Sequence, residues 1–153
     1  MEKTLVILKP SAMGRGIAGE VIDRFIKKGL IIAGMKMMHL SDEIIKDHYA
    51  HLIDRPFFTR IKNSMQFLPV IVICLKGLDA VQVVRNMTGA TNGRNAAPGT
   101  IRGDYSMGQE NIVHASDTPE NAVIEINRFF KPEEIFDYTP AAMNLLYADD
   151  ELE

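Results

Sequence analysis

The sequence predicts an α+β fold built on one four-stranded antiparallel sheet, and two patterns support this prediction. Short β-prone apolar runs alternate with stretches in which apolar residues recur at helical spacing. A long irregular segment that contains five glycines precedes the last of the apolar runs. The 153 residues are a usual size for one domain, so we expect a single domain over residues 1–153.

The first half of the chain predicts two strands that alternate with helices. Residues 4–8 form a short apolar run, and Pro10, which has no backbone N–H, ends that strand. The next stretch has its apolar residues on one helical face and ends at Gly29, a typical helix C-terminus. Residues 30–40 predict the second strand, and Ser41 is a typical N-cap for the helix that follows.

The second half predicts the other two strands. A further helical stretch begins at Pro56 and leads to residues 69–75, which are apolar throughout and therefore predict a central strand. A helix over residues 78–87 comes next, and residues 88–111 are the irregular glycine-rich loop. Residues 112–115 predict the fourth strand.

This order of elements indicates a ferredoxin-like βαββαβ layout with extra helices and a long glycine-rich loop before the last strand. The final helix begins within residues 116–120, where Pro119 can take the first helical position. We expect the helices to cover one face of the sheet, which leaves the other face to be buried, for example against a partner subunit.

Composition and charge argue against several classes of function. The net charge of -3 argues against general nucleic-acid binding, which needs a basic surface. No apolar stretch approaches the roughly 18 residues that span a membrane. The N-terminus does not resemble a signal peptide, so we expect a cytoplasmic protein. The single cysteine, Cys74, lies in an apolar run and is interpreted as a small buried hydrophobe.

Among the four histidines, His114 is the one whose position suggests chemistry. It ends the fourth strand just before a helix start, and Glu125 follows on the border of that helix's apolar face. A carboxylate on one imidazole nitrogen would leave the other as a nucleophile. The alternative is a half-buried structural histidine and a solvated glutamate. We assign no metal or catalytic role to His39, His48 and His51.

Three cations from separate elements could converge on a phosphate chain. Lys9 ends the first strand, Arg85 lies on the helix before the loop, and Arg102 lies inside the loop. An arginine binds phosphate through a planar fork, although each of these cations, taken singly, is ordinarily a solvated surface charge. Neither common nucleotide fingerprint, G-x-x-x-x-G-K-[ST] or G-x-G-x-x-G, occurs in the chain.

The adjacent rings of Phe57 and Phe58 leave two alternatives open. Both rings can lie in the core. Alternatively, one can be exposed and stack on a base without reading its edge.

Residues 111–117, Asn-Ile-Val-His-Ala-Ser-Asp, resemble the motif of the nucleoside diphosphate kinase family, N-x-x-H followed by G-S-D. Other segments that resemble the family run in order from about residue 3 to about residue 147, and together they are very specific. These segments are Ile7-Leu8-Lys9-Pro10, residues 14–16 and 19–22, His48-Tyr49, Arg55-Pro56-Phe57-Phe58, Gly89-Ala90-Thr91-Asn92, residues 97–104, residues 130–134 and Tyr138-Thr139.

The resemblance implies a role for each matched position. Four residues would be catalytic: His114 would carry the phosphoryl group, Glu125 would orient it, Tyr49 would help to shape the histidine site, and Lys9 would hold the charged oxygens. Family members use Mg²⁺, held largely by the nucleotide phosphates, and form homo-oligomers that are tetramers or hexamers. The implied nucleotide-binding residues are Lys9, Arg85, Thr91 and Arg102 for the phosphates, Asn111 together with Lys9 for the sugar, and Phe57 for the base.

The chain departs from the family pattern in several places. Ser11 replaces the usual aspartate, Gly93 replaces a proline, and Ala115 replaces the glycine after the histidine. Residues 109–110, Gln-Glu, replace Gly-Arg and so exchange a cation for an anion near the nucleotide. Residues 141–153 also differ, which affects the expected subunit contacts. None of these changes removes a residue assigned to catalysis.

The sequence therefore predicts an enzyme that transfers the γ-phosphate of a nucleoside triphosphate to a nucleoside diphosphate. The expected mechanism is ping-pong through a phosphohistidine, with broad base tolerance. The expected partners are nucleoside tri- and diphosphates, and neither membranes nor nucleic acids. Two alternatives stay open: an inactive family member that serves as an interaction protein, and a non-catalytic ferredoxin-like binding or regulatory module.

Overall fold

A computed structural model describes residues 1–152 of the chain. Within these residues four strands form one antiparallel sheet with the spatial order β2-β3-β1-β4. The α+β, ferredoxin-like prediction is therefore confirmed, and so is the central position of β3. The strands are β1 (Glu2–Leu8), β2 (Ile31–Met38), β3 (Val70–Gly77) and β4 (Val113–Ala115).

Seven α-helices lie in the described part of the chain, and two of them were not predicted. The first, α1, begins at Pro10, directly after β1, and α6 lies inside the segment that we expected to be irregular. The Thr100 side chain caps α6 by accepting a hydrogen bond from the Gly103 N–H. The helices are α1 (Pro10–Gly14), α2 (Ala18–Lys28), α3 (Asp42–His48), α4 (Phe58–Gln66), α5 (Ala80–Thr88), α6 (Ile101–Tyr105) and α7 (Pro119–Phe129).

Helices cover both faces of the sheet, so the expectation of one open face was wrong. Successive side chains of a strand point to opposite faces, and β1 is buried on both. Val6 and Leu8 pack with α2 and α5, whereas Leu5 and Ile7 pack with α3, α4 and α7. The second cluster is completed by residues from those three helices, including Ile45, Met65, Ile126 and Phe129.

The register of β4 against β1 places the end of the first strand beside His114. Ile7 is paired with His114, and the Lys9 N–H donates to the Ile112 carbonyl at 2.9 Å. Ile112 has a φ of 57°, a strained value for a β-branched residue. Since this turn precedes β4, it sets the directions of both Asn111 and His114.

The fold fixes the surroundings of Cys74 and of the two adjacent phenylalanines. Cys74 is fully buried, as expected, and burial raises the pKa of its thiol to about 11. Of the two adjacent phenylalanines, Phe57 is 42% exposed while Phe58 packs against the core. In residues 1–152 no helix has both the length and the apolar composition needed to cross a membrane.

Candidate active site

The structure brings His114 and Glu125 together from β4 and α7. The helix starts with Pro119 in its first turn and is capped by Thr118, whose side chain accepts from the Asn121 N–H at 3.1 Å. Folded back along the sheet, α7 places both carboxylate oxygens of Glu125 at 3.1 and 3.2 Å from Nε2 of His114. The imidazole is half-buried and faces a cavity.

Glu125 fixes the tautomer of His114. Burial acts to raise the pKa of Glu125, but hydrogen bonds from His114 and Ser116 outweigh it, and the pKa lies below its ordinary value. An ionised carboxylate only accepts hydrogen bonds, so Nε2 of His114 carries the proton and Nδ1 keeps its lone pair. The Ser116 hydroxyl donates to Glu125 and accepts from the Leu5 N–H, which ties the carboxylate to β1.

His48, to which we assigned no function from the sequence, lies against His114. Its side chain is 1% exposed, and the two rings meet edge to face with centroids 4.6 Å apart and planes at 80°. Burial lowers the pKa of His48 to about 3, so this imidazole is neutral. A signal was present in the sequence, since His48 shares the apolar face of its helix with Ile45.

Arg128 was also missed, although it follows Glu125 by three residues and so shares its helix face. Its Nη1 lies 3.1 Å from Nδ1 of His48, and its Nε donates to the carboxylate of Asp47. The guanidinium thus joins α7 to the C-terminal end of α3, directly behind the histidine pair.

His48, His114 and Glu125 offer ligand atoms that all lie within 4.8 Å of one another. This set does not suit Mg²⁺, which prefers oxygen ligands. The guanidinium of Arg128 also donates to Nδ1 of His48, so a positive charge already lies beside this candidate ligand atom. Two hydrogen-bonded pairs, His114 with Glu125 and His48 with Arg128, are joined by the packing of the two imidazole rings, and we call this arrangement the histidine network.

Two cavities adjoin this network, and Tyr49 lines both of them. The first, of about 450 Å³, contains His114 and Glu125, and the second is about 510 Å³. Burial raises the pKa of the Tyr49 hydroxyl, with the charge of Glu125 acting in the same direction, so this group stays protonated. The second cavity includes Lys9, Phe57, Arg60, Thr91, Glu110 and Asn111 in its lining.

Lys9, Asn111 and Thr91 form a chain of hydrogen bonds along the second cavity. Nζ of Lys9 donates to Oδ1 of Asn111 at 2.6 Å, and Nδ2 of Asn111 donates to the Thr91 carbonyl at 2.8 Å. Burial, and to a lesser extent the charge of Arg102, lowers the pKa of Lys9 to about 8. The cavity therefore holds an ammonium group that is poorly solvated, which favours an anionic ligand.

Arg85 on α5 and Arg102 on α6 are the other two cations that the sequence assigned to the phosphates. Arg102 donates to the carbonyls of Gly89 and Val113 at 2.9 and 2.7 Å, which fixes its guanidinium beside β4. Burial and the nearby charge of Arg85 lower the pKa of Arg102 to about 10. Neither arginine is among the lining residues of the two cavities, so of the four phosphate-binding residues predicted from the sequence the second cavity unites Lys9 and Thr91.

Comparison with known proteins adds a second kind of observation. Residues 2–135 match the profile of the nucleoside diphosphate kinase family. A nucleoside diphosphate kinase of Parabacteroides distasonis is 64% identical over 152 residues, which cover 99% of each chain. Nucleoside diphosphate kinase A of Homo sapiens is 43% identical over 147 residues, with 95% of this chain and 97% of that protein covered.

Solved structures agree with these sequence matches. A nucleoside diphosphate kinase of Halobacterium salinarum in complex with CDP has a TM-score of 0.92 at 37% identity, covering 95% of this chain and 98% of that one. A transition-state mimic of the Borrelia burgdorferi enzyme, with bound vanadate and ADP, has a TM-score of 0.88 at 31% identity, covering 94% and 95%.

A fold and a sequence shared over nearly the full chain define the class of this protein, which is a phosphotransferase enzyme. More narrowly, the chain belongs to the nucleoside diphosphate kinase family.

Proposed function

We propose that this enzyme moves the γ-phosphate of a nucleoside triphosphate to a nucleoside diphosphate through a phosphate carried on His114. One observation supports this proposal above the others. The imidazole has its Nε2 bound by Glu125 at 3.1 Å, which leaves Nδ1 as a lone-pair nucleophile, and the cavity that shares Tyr49 with that of His114 contains the ammonium group of Lys9.

In the first half-reaction, Nδ1 of His114 attacks the γ-phosphorus in line with the bridging oxygen. The N–P bond forms as the bond to that oxygen breaks, and the nucleoside diphosphate leaves with the electron pair. Glu125 stabilises the positive charge that develops on the ring through the Nε2 proton. A second diphosphate then attacks the phosphohistidine, and the same steps run in reverse to give a ping-pong cycle.

The proposed nucleotide site extends from His114 into the second cavity. Lys9, Arg102 and Arg85 would hold the phosphates together with Thr91, while Asn111 and Lys9 would contact the sugar. The 42% exposed ring of Phe57 would stack on the base, and stacking without an edge contact is consistent with broad base tolerance. Tyr49, which lines both cavities, would separate the histidine from the base pocket.

We propose Mg²⁺ as the metal that accompanies the nucleotide. Among the residues described, the lining of the second cavity includes one carboxylate, Glu110, so the protein offers few oxygen ligands of its own. A magnesium ion held by the phosphates would fit such a site and would neutralise part of their charge.

Labelling with ATP radioactive in its γ-phosphate tests the proposal. The wild-type protein is expected to form an acid-labile phosphoprotein that loses its label to an added nucleoside diphosphate. His114→Ala should bind nucleotide but take up no label, while His39→Ala, which alters an exposed histidine, should behave as wild type. Label or exchange activity retained in His114→Ala would reject the role of this histidine. Binding without any label in the wild type would favour an inactive family member.

Three sequence-based expectations stay predictions, namely a single domain over residues 1–153, a cytoplasmic location and a homo-oligomer of four or six subunits. An oligomer is supported by the edge strand β2, where Met35 and Met37 are 53% and 58% exposed. Light scattering coupled to gel filtration would measure the subunit number.

A further inference from the structure

Arg128 touches the histidine network but has no part in the mechanism above. Its side chain is 17% exposed, and it bridges Asp47 and His48. A guanidinium only donates hydrogen bonds, so Nδ1 of His48 is the acceptor and the ring proton lies on Nε2. Within residues 1–152 Nε2 of His48 has no hydrogen-bond partner. The contact with Arg128 is therefore what selects the tautomer of this buried ring.

A change of tautomer in His48 would weaken the hydrogen bond between Glu125 and His114, the proposed nucleophile. Nδ1 of His48 lies 3.9 Å from Oε1 of Glu125. The same oxygen lies 3.1 Å from Nε2 of His114. If Nδ1 of His48 carried the proton, a small movement would let it donate to that oxygen and compete with His114 for the carboxylate.

We propose that Arg128 is a positioning residue that keeps His48 an acceptor at Nδ1 and so reserves Glu125 for His114. The inference rests on the proposed function of His114. Ring packing transmits the effect as well, because His48 contacts His114 edge to face at 4.6 Å. With the ring of His114 less firmly held, its Nδ1 would point at the γ-phosphate less often. Loss of Arg128 should therefore slow phosphoryl transfer without weakening nucleotide binding.

The test replaces Arg128 by Met and uses Lys27→Met as its matched control. Lys27 forms an exposed pair with Asp23 on α2, which packs on the opposite face of the sheet, and its loss removes the same charge. By analogy with residues that orient metal ligands, whose loss costs about 10–100-fold, Arg128→Met should lower kcat and the single-turnover rate of phosphohistidine formation by about tenfold. KM should stay within about twofold of wild type, as when an interaction made only in the transition state is lost.

The conservative variant Arg128→Lys distinguishes positioning from general packing. A lysine keeps a donor that can reach Nδ1 of His48, so most of kcat should be recovered. An Arg128→Lys protein as slow as Arg128→Met would overturn the proposal, and so would an Arg128→Met protein with wild-type kcat or with a change in KM alone.

Nitrogen-15 NMR of the histidine rings gives a readout that does not depend on turnover. In the wild type His48 should show a protonated Nε2 and a bare Nδ1, and in Arg128→Met a mixture of tautomers. A protonated Nδ1 in the wild type would overturn the proposal even if Arg128→Met failed to fold. If the wild type formed no phosphohistidine, the function proposed for His114 would fail, while the NMR result would still decide whether Arg128 sets the tautomer.

Discussion

At the scale of single residues, the site depends on charges whose protonation the fold has altered. Hydrogen bonds from two donors keep Glu125 ionised in spite of its burial. Burial lowers the pKa of Lys9, so its charged form is less strongly favoured than in water. Both effects would favour the proposed phosphoryl transfer, because one fixes the proposed nucleophile and the other leaves an ammonium that gains strongly from an anionic partner. The sequence places these residues, but it contains no information about their solvation.

The lowered pKa of Lys9 predicts a pH dependence. Lys9 is charged below about pH 8 and becomes neutral above it, so kcat/KM for the nucleotide should fall as the pH rises through that value. At saturating nucleotide the bound phosphates should raise the pKa again, and kcat should fall only at higher pH. Rates measured from about pH 6 to about pH 10 would locate the fall in kcat/KM and the later fall in kcat.

The matched variants are Lys9→Met and Lys62→Met, since Lys62 forms an ion pair with Asp42 and is not among the residues that line the second cavity. Lys9→Met should lower kcat/KM by about 10²–10³-fold, by analogy with other preorganised charges. The fall in kcat/KM near pH 8 should also disappear in this variant. The same alkaline limb in Lys9→Met would show that another group titrates there.

At the scale of elements, periodicity identified the long helices and missed the short ones. The eleven residues of α7 show a full apolar stripe, whereas the five of α6 complete little more than one turn. Two local features stabilise α6. The Thr100 side chain caps the helix, and Gly103 lets the preceding segment pack against it, since a Cβ there would lie 2.0 Å from the Ala97 carbonyl oxygen. This helix carries Arg102, to which the proposed function gives a phosphate-binding role.

Substitution of Gly103 by Ala is therefore expected to impair catalysis through α6. The Ala97 carbonyl accepts hydrogen bonds from the N–H and the hydroxyl of Thr100, so relief of this clash should shift the cap of α6 and with it the guanidinium of Arg102. A displacement near 1 Å should cost on the order of 10²-fold in kcat/KM. Gly108→Ala is the control, because a Cβ there meets no atom within 4 Å. Steady-state kinetics with thermal melting would separate the local effect from unfolding, and an active Gly103→Ala protein would show that the loop adapts.

At the scale of the whole molecule, the sheet has two cores, one on each face. Val6 and Leu8 contribute to one core, and Leu5 and Ile7 contribute to the other. The helices α3, α4 and α7 close the second face, and α3 and α7 at the same time carry His48 and Glu125 to the first cavity. The packing that buries the sheet is thus the packing that assembles the proposed histidine network.

The fully buried Cys74 provides a measure of that packing. With its pKa raised to about 11, the thiol should not react with a thiol-specific reagent at pH 8 until the protein unfolds. The rate of modification should rise to that of a free cysteine when denaturant is added. Rapid modification of the native protein would mean that the second core opens readily, and unfolding curves measured on the same sample would give the free energy of opening.

By itself the sequence determined the order of the strands and long helices along the chain, the family, and the contact between His114 and Glu125. Alternating and helical periodicities, caps and motif spacing are local properties, and they are visible in one dimension. Only the tertiary structure decided which face of the sheet each helix covers, which of Phe57 and Phe58 is exposed, and that His48 and Arg128 stand behind His114. These outcomes depend on contacts between distant segments, because an apolar stripe specifies that a helix is buried and not what it is buried against.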